Sequence, residues 1–107
     1  MSIKLSIKFT AHAHDDLRRI YRYIFENLLA PQAAKRIMKM IEDSISHLAD
    51  YPYSAPPIDD EFLAKKGYRK LVAEDYIVIY KIHKSADKVV IHRVFNGKTD
   101  YRSALKN

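Results

Sequence analysis

Residues Gly67 to Tyr101 read GYRKLVAEDYIVIYKIHKSADKVVIHRVFNGKTDY and decide the fold. Three runs rich in branched and aromatic residues, Tyr68 to Val72, Tyr76 to His83 and Lys88 to Phe95, are separated only by Glu74-Asp75 and Ser85-Ala86-Asp87. Runs of that composition between short polar turns predict three strands joined as an antiparallel meander. Tyr68, Arg69, Lys70, Lys81, His83, His92, Arg93 and Lys98 are interleaved with Leu71, Ile77, Ile79, Val89 and Ile91. The same small sheet is therefore expected to supply both core and a surface able to grip an anionic or acidic partner.

Working toward the N-terminus, Ile3, Leu5, Ile7 and Phe9 alternate with Ser2, Lys4, Ser6 and Lys8. That period of two predicts a further strand with one buried face. Thr10 stands at an N-cap position, and Asp15 and Asp16 lie early enough to favour the positive end of a helix. Leu17, Ile20, Tyr21, Ile24 and Leu28 then recur at spacings of three and four, an amphipathic stripe that stops at Leu28-Leu29. Pro31 suits the first turn of a second helix, whose stripe is Ala34, Ile37, Ile41, Ile45 and Leu48. Two such stripes joined by a short connection predict an antiparallel helical hairpin. The segment DYPYSAPP, residues 50–57, cannot continue a helix and returns the chain to the sheet. A short helical turn is expected at Phe62-Leu63 and another in the tail from Lys98 to Asn107. The sum is a single α+β domain over residues 1–107, with the helical hairpin packed on one face of a small mainly antiparallel sheet, in the order β-α-α-β-β-β. The opposite face is expected to be left open for function.

Composition bounds the chemistry. The chain has 107 residues, no cysteine, and 19 Lys and Arg against 13 Asp and Glu, for a formal charge of +6. Disulfide scaffolds, zinc ribbons and thiol catalysis are excluded, and the charge favours nucleic acid or an acidic polypeptide. No apolar run approaches the roughly 18 residues of a membrane helix, and the N-terminal segment reads as a strand and not as a signal peptide. The expectation is a soluble cytoplasmic protein with no membrane partner and no cofactor. His12 and Asp16 share a helix face at i and i+4, but two ligands make a poor site where three or four are normally needed, so no metal is expected.

The order and spacing of several pieces resemble the toxins of the RelE/ParE superfamily in bacterial type II toxin–antitoxin systems, closer to the ParE branch. They are Asp16-Leu17, Ile20, Tyr23-Ile24, Ala33, Ile37, Ile41, Leu48 and Pro52, followed by Gly67-Tyr68-Arg69-Lys70-Leu71, Tyr76-Ile77-Val78-Ile79-Tyr80, Ile91, Val94, Gly97 and Asp100-Tyr101. The resemblance implies a growth-inhibiting toxin of the kind associated with plasmid stabilisation, neutralised by a cognate small acidic antitoxin in a toxin–antitoxin hetero-oligomer. The antitoxin is expected to cover the groove between helical hairpin and sheet. Operator recognition would belong to the antitoxin. The target implied is DNA gyrase for ParE-like members, or the ribosome and its mRNA for RelE-like mRNA interferases.

Metal-free RNA cleavage requires a base for the 2′-hydroxyl, a cation for the developing phosphorane charge and an acid for the leaving oxygen. By the resemblance, Arg69, His92, Lys98 and Tyr101 are the candidate catalytic residues for that reading. The position after Tyr76, where ribonuclease members carry Arg, holds Ile77, and Asn96 and Lys98 stand where many relatives have His and Arg. A hydrocarbon cannot stabilise a phosphate, and Lys lacks the fork of Arg. A binding toxin would instead use Arg69, Lys70, Arg93, Lys98 and Tyr101 on its target. Each residue also has a plainer reading. Arg69 suits a solvated strand face, Tyr76 and Tyr80 suit strand packing, and Lys81, His83 and Arg93 suit edge charges that discourage aggregation. A non-toxic relative whose basic sheet binds an acidic peptide is a third possibility.

Overall fold

The alternation of Ile7 and Phe9 with Ser6 and Lys8 becomes strand β1 (Ser6–Phe9) in a computed structural model that describes residues 4–27 and 30–106. Ser2, Ile3, Leu28, Leu29 and Asn107 fall outside the described residues, so the strand and helix expectations that rest on them are not addressed. Thr10 caps helix α1 (Ala11–Arg22): its hydroxyl accepts the Ala13 N–H at 3.1 Å and donates to the His92 carbonyl at 2.8 Å. One side chain thus closes the helix end and ties it to the sheet. The last turn of α1 widens into a π-helical turn, Tyr23–Asn27. Pro31 opens helix α2 (Pro31–His47) at its first position, as its spacing predicted. The Pro- and Tyr-rich loop leads to a short helix α3 (Glu61–Lys65), capped by Asp60.

Gly67, at φ +93, ends α3. Its N–H bonds to the Ala64 carbonyl at 3.0 Å, and the next N–H, of Tyr68, reaches back to the Leu63 carbonyl at 3.3 Å. This pair of bonds requires the left-handed conformation that glycine adopts without penalty, and it fixes where Tyr68 enters the sheet. Strands β2 (Arg69–Ala73), β3 (Tyr76–His83) and β4 (Lys88–Asn96) follow as the expected meander, then helix α4 (Tyr101–Lys106). The strand order is β1-β4-β3-β2, with β1 parallel to β4 and the other pairs antiparallel. Helical hairpin on a mainly antiparallel sheet is the expected α+β architecture.

The main core lies between the hairpin and one face of the sheet. Ala13, Ile41, Ile45 and Leu48 meet Val78, Tyr80, Val89, Ile91 and Val94 there. Full burial of each aliphatic side chain contributes about 1.5–3 kcal/mol. The opposite face departs from expectation. Ile77, Ile79 and Phe95 point outward and are covered by Leu63 of α3 and by Tyr101, Ala104 and Leu105 of α4. The reason is legible in β3 itself, where Ile77, Val78, Ile79 and Tyr80 are apolar in succession and all buried. A strand of that kind needs cover on both faces. Ion pairs of Lys106 with Asp60 at 2.6 Å and of Arg102 with Asp59 at 3.9 Å link α4 to the start of α3.

Candidate functional site

Arg69, Lys70, Lys98 and Tyr101 do not form one patch. Arg69 begins β2 opposite Tyr80, on the hairpin side, where its Nε donates to the Ala55 carbonyl at 2.9 Å and its guanidinium lies 5.2 Å from the Tyr53 ring centre. Tyr80, buried beneath it, donates its hydroxyl to the Pro52 carbonyl at 2.7 Å. Burial, opposed by Arg69, holds that phenol above its ordinary pKa. Arg69 is therefore largely a brace for the 50–57 loop, and Tyr80 is the packing residue its sequence context predicted. Lys70, one residue on, points to the outer face and meets Tyr101: Nζ lies 3.4 Å from the hydroxyl and 5.2 Å from the ring centre. Lys98 is exposed in the turn after Asn96, which pairs with Tyr76. Four residues of strand, about 13 Å at 3.3 Å per residue, separate that end from the Tyr80 end where Arg69 sits.

Arg93 has a different role from the one expected. β1 stops pairing with β4 at Ile91, and α1 then runs beside the vacated edge. Asp16, only 4% exposed, takes the place of the missing strand. One carboxylate oxygen accepts the Val94 N–H at 2.9 Å and Arg93 Nε at 2.8 Å, while the other accepts Arg93 Nη2 at 3.0 Å and Arg19 Nη2 at 2.9 Å. This bond to Asp16 holds the Arg93 pKa above its usual value. Lys81 and His83 lie on β3 beyond its last pair with β2, at Tyr80, and Arg93 lies on β4 beyond its last pair with β1, at Ile91, so all three stand where a strand partner is missing on one side; at Arg93 Asp16 fills that gap. Asp16 also cannot serve His12 as a co-ligand, because its oxygens are taken by arginines. Among the described residues no group of three potential metal ligands converges.

The outer face holds a second constellation at the Lys81 end, beside Ala104 and Leu105 of α4. Ile79 pairs with Arg93 but Tyr80 pairs with Ile91, so β4 carries an extra residue, His92, in a bulge. A bulge of this kind turns two successive side chains toward one face. His92 meets Tyr68 edge-on with ring centres 5.4 Å apart, and the Lys81 ammonium lies 4.3 Å from the Tyr68 ring centre. Burial, then the nearby Lys81 and His83, hold the His92 pKa below its ordinary value. From the sequence, Tyr68 is expected only as part of the gripping surface of the sheet, and His12 and Asp16 enter the site reading only as a poor metal pair. A signal for Asp16 is present, since it falls on the buried side of α1, three residues after Ala13 and four before Ile20; a signal for the bulge at His92 is present too, since apolar alternation through Val89 and Ile91 resumes at Val94 instead of Arg93.

On the other side of the molecule, α1, α2 and β1 enclose a groove of about 910 Å³. Ile7, Phe9, Leu17, Tyr21, Met38 and Ile45 supply apolar walls, and Arg18, Lys35, Lys39 and Glu42 line it as charged groups. β1 is an edge strand whose Leu5 N–H turns away from β4 to bond the Ala49 carbonyl at 2.9 Å. By the alternation of a strand, the backbone groups of Ile7 and Phe9 face the same open side.

Residues 7–101 match the family described as ParE toxin of type II toxin-antitoxin system, parDE. Among solved structures, the fold is similar to the chromosomal ParDE toxin–antitoxin system from P. aeruginosa, at 21% identity and a TM-score of 0.72, covering 89% of this chain and 98% of that one. It is also similar to the toxin–antitoxin complex RelBE2 from Mycobacterium tuberculosis, at 21% identity and a TM-score of 0.62, covering 88% and 99% of the two chains. At that identity the likeness is one of fold. No curated protein sequence matches this chain closely enough to count as a relative. The family match spans the sheet, the helical hairpin and the start of α4, and on it the chain belongs to the ParE toxin family of type II toxin–antitoxin systems.

Proposed function

We propose that this toxin stops growth by binding, as a ParE-like poison that holds DNA gyrase with its DNA broken, and not by cutting RNA. The observation that carries the reading is Ile77. Where ribonuclease relatives would place a cation, this chain has a side chain only 7% exposed, packed in the apolar cluster beneath α3 and α4. The other candidate groups support the same reading. Arg69 braces a loop on the hairpin side, His92 sits at the Lys81 end of the outer face, Tyr101 meets Lys70, and Lys98 stands in a turn. General acid–base chemistry needs its donors within about 3 Å of the reacting atoms, and these four do not converge on one point. Lys70, Tyr101 and Lys98 remain the accessible residues for target contact.

Neutralisation is assigned to the groove of α1, α2 and β1. Its apolar walls suit the apolar face of an antitoxin helix or an extended segment along β1. The lining cations Arg18, Lys35 and Lys39 outnumber Glu42, which favours an acidic antitoxin and a hetero-oligomer. Induction of the toxin without its antitoxin tests the reading: DNA breaks and an SOS response are expected, and intact DNA with codon-linked cuts in translated messages would reject it in favour of the mRNA interferase alternative.

A further inference from the structure

Among the described residues, no position in any of the four strands holds an aspartate or glutamate, whereas Lys8, Arg69, Lys70, Lys81, Lys88 and Arg93 are all strand residues. Three of these cations are engaged within the fold: Arg93 with Asp16, Arg69 with the Ala55 carbonyl and Lys70 with Tyr101. Lys8, Lys81 and Lys88 have no carboxylate partner among the described residues. Strand alternation brings these three together. Ile7 and Phe9 of β1, Ile82 of β3, and Val89 and Ile91 of β4 turn to the hairpin core, so Lys8, Lys81, His83, Lys88 and Val90 turn to the outer face. Lys8 and Lys81 both pair with Val90, from its two sides, and His83 pairs with Lys88. Strands lie about 4.8 Å apart and residues of one face repeat about every 7 Å along a strand, so the three lysines spring from an area of about 10 by 7 Å. Val90 at its centre is half-buried and belongs to neither apolar cluster. Lys84 and Asp87, in the exposed turn between β3 and β4, offset each other, and the patch stays cationic.

We propose that Lys8, Lys81 and Lys88 hold the phosphate backbone of double-stranded DNA without reading its sequence. The choice of DNA rests on the gyrase reading above, while the surface itself argues for a phosphodiester backbone. One strand of a duplex advances about 3.4 Å per phosphate, so the patch spans about three phosphates. Lysine ammonium groups act as point charges with three donors each, which suits a line of phosphates better than the single carboxylate that an arginine fork would grip. A protein partner would bring its binding energy through apolar anchors, and none of the exposed large apolar side chains lies on β1, β3 or β4. Unpaired bases would need an open ring to stack on. Tyr68, the aromatic residue beside the patch, has the Lys81 ammonium over its ring and His92 packed against it at 84°. Backbone contact is what this surface offers.

The test is fluorescence anisotropy of a labelled mixed-sequence duplex titrated with the purified full-length toxin, at salt from about 50 to 200 mM. The affinity is expected to fall with a log–log slope of about −2.7, the counterion release of three phosphate contacts, and to be the same for unrelated sequences. Lys81→Gln and Lys88→Gln should each reduce the magnitude of that slope by about one. Lys65→Gln removes the same unit of charge from α3, where Lys65 pairs with Glu61, and should leave the slope unchanged. No binding at the lowest salt, or an equal loss from Lys65→Gln, would overturn the proposal. Tighter binding of single-stranded RNA of the same length would overturn the choice of DNA. Linear plasmid formed with gyrase is scored separately. A toxin that binds duplex DNA but traps no gyrase would sink the reading of growth inhibition and leave this surface standing; one that traps gyrase without affinity for free duplex would do the reverse.

Discussion

Asp16 carries more of this structure than any other single polar residue, because four hydrogen bonds from two arginines and one strand amide end on its carboxylate. Removing one partner of a buried, hydrogen-bonded pair leaves the others unsatisfied at a cost of about 3–5 kcal/mol, reduced here because Arg19 is largely exposed and Arg93 is 21% exposed. Asp16→Ala is therefore expected to lose about 3 kcal/mol of unfolding free energy in urea; a loss under 1 kcal/mol would show that the carboxylate is not the tether described. His92 gives a second, pH-dependent expectation. Its folded-state pKa lies below the ordinary 6.5, so below that pH the unfolded chain takes up the proton more readily than the folded one. The contribution is fully present above pH 6.5 and is lost as pH falls toward the depressed folded value, with a slope of at most about 1.4 kcal/mol per pH unit. Thermal melts of the wild type and His92→Asn between pH 5 and pH 8 should differ in slope in that window and run parallel above it.

At the scale of elements, the periodicities carried most of the fold. The strands of the meander, both long helices, the Thr10 cap and the Pro31 start are set by local alternation, spacing and capping chemistry, and a local reading finds them. What local reading does not give is how elements meet. That β1 pairs parallel to β4 and stops at Ile91, leaving an edge for Asp16, depends on the path of α1 across the sheet. That α4 covers the outer face depends on contacts between residues far apart in sequence, although the unbroken apolar run from Ile77 to Tyr80 already called for cover on both sides. The candidate site was the least legible for the same reason. Arg69 and Lys98 are both basic residues near strand ends, yet sheet register sends them to opposite ends of the sheet. Ile77 offers the test at this scale. Ile77→Arg would bury a charge in the cluster of Ile58, Leu63, Ile79 and Phe95, so it is expected to destabilise by at least about 3 kcal/mol in denaturant and to gain no ribonuclease activity. A stable variant that cuts mRNA on ribosomes would show that this position faces substrate.

The whole molecule presents two working surfaces separated by its core: the apolar groove beside the helical hairpin, and the outer face with Lys70, Tyr101 and the turn at Lys98. Their separation lets the groove be filled by an antitoxin without requiring that the same segment cover the residues assigned to the target. The net charge of +6 favours acidic partners and makes association weaken as salt rises. The claim that joins these surfaces to growth inhibition is that the protein acts by trapping gyrase. Its most direct measurement incubates the purified toxin with DNA gyrase and supercoiled plasmid, then denatures and digests the protein and resolves the DNA. Linear plasmid that accumulates with toxin and disappears when the cognate antitoxin is added is the result predicted. Plasmid left intact at every toxin concentration, together with cleaved mRNA when the same preparation is given translating ribosomes, would contradict it.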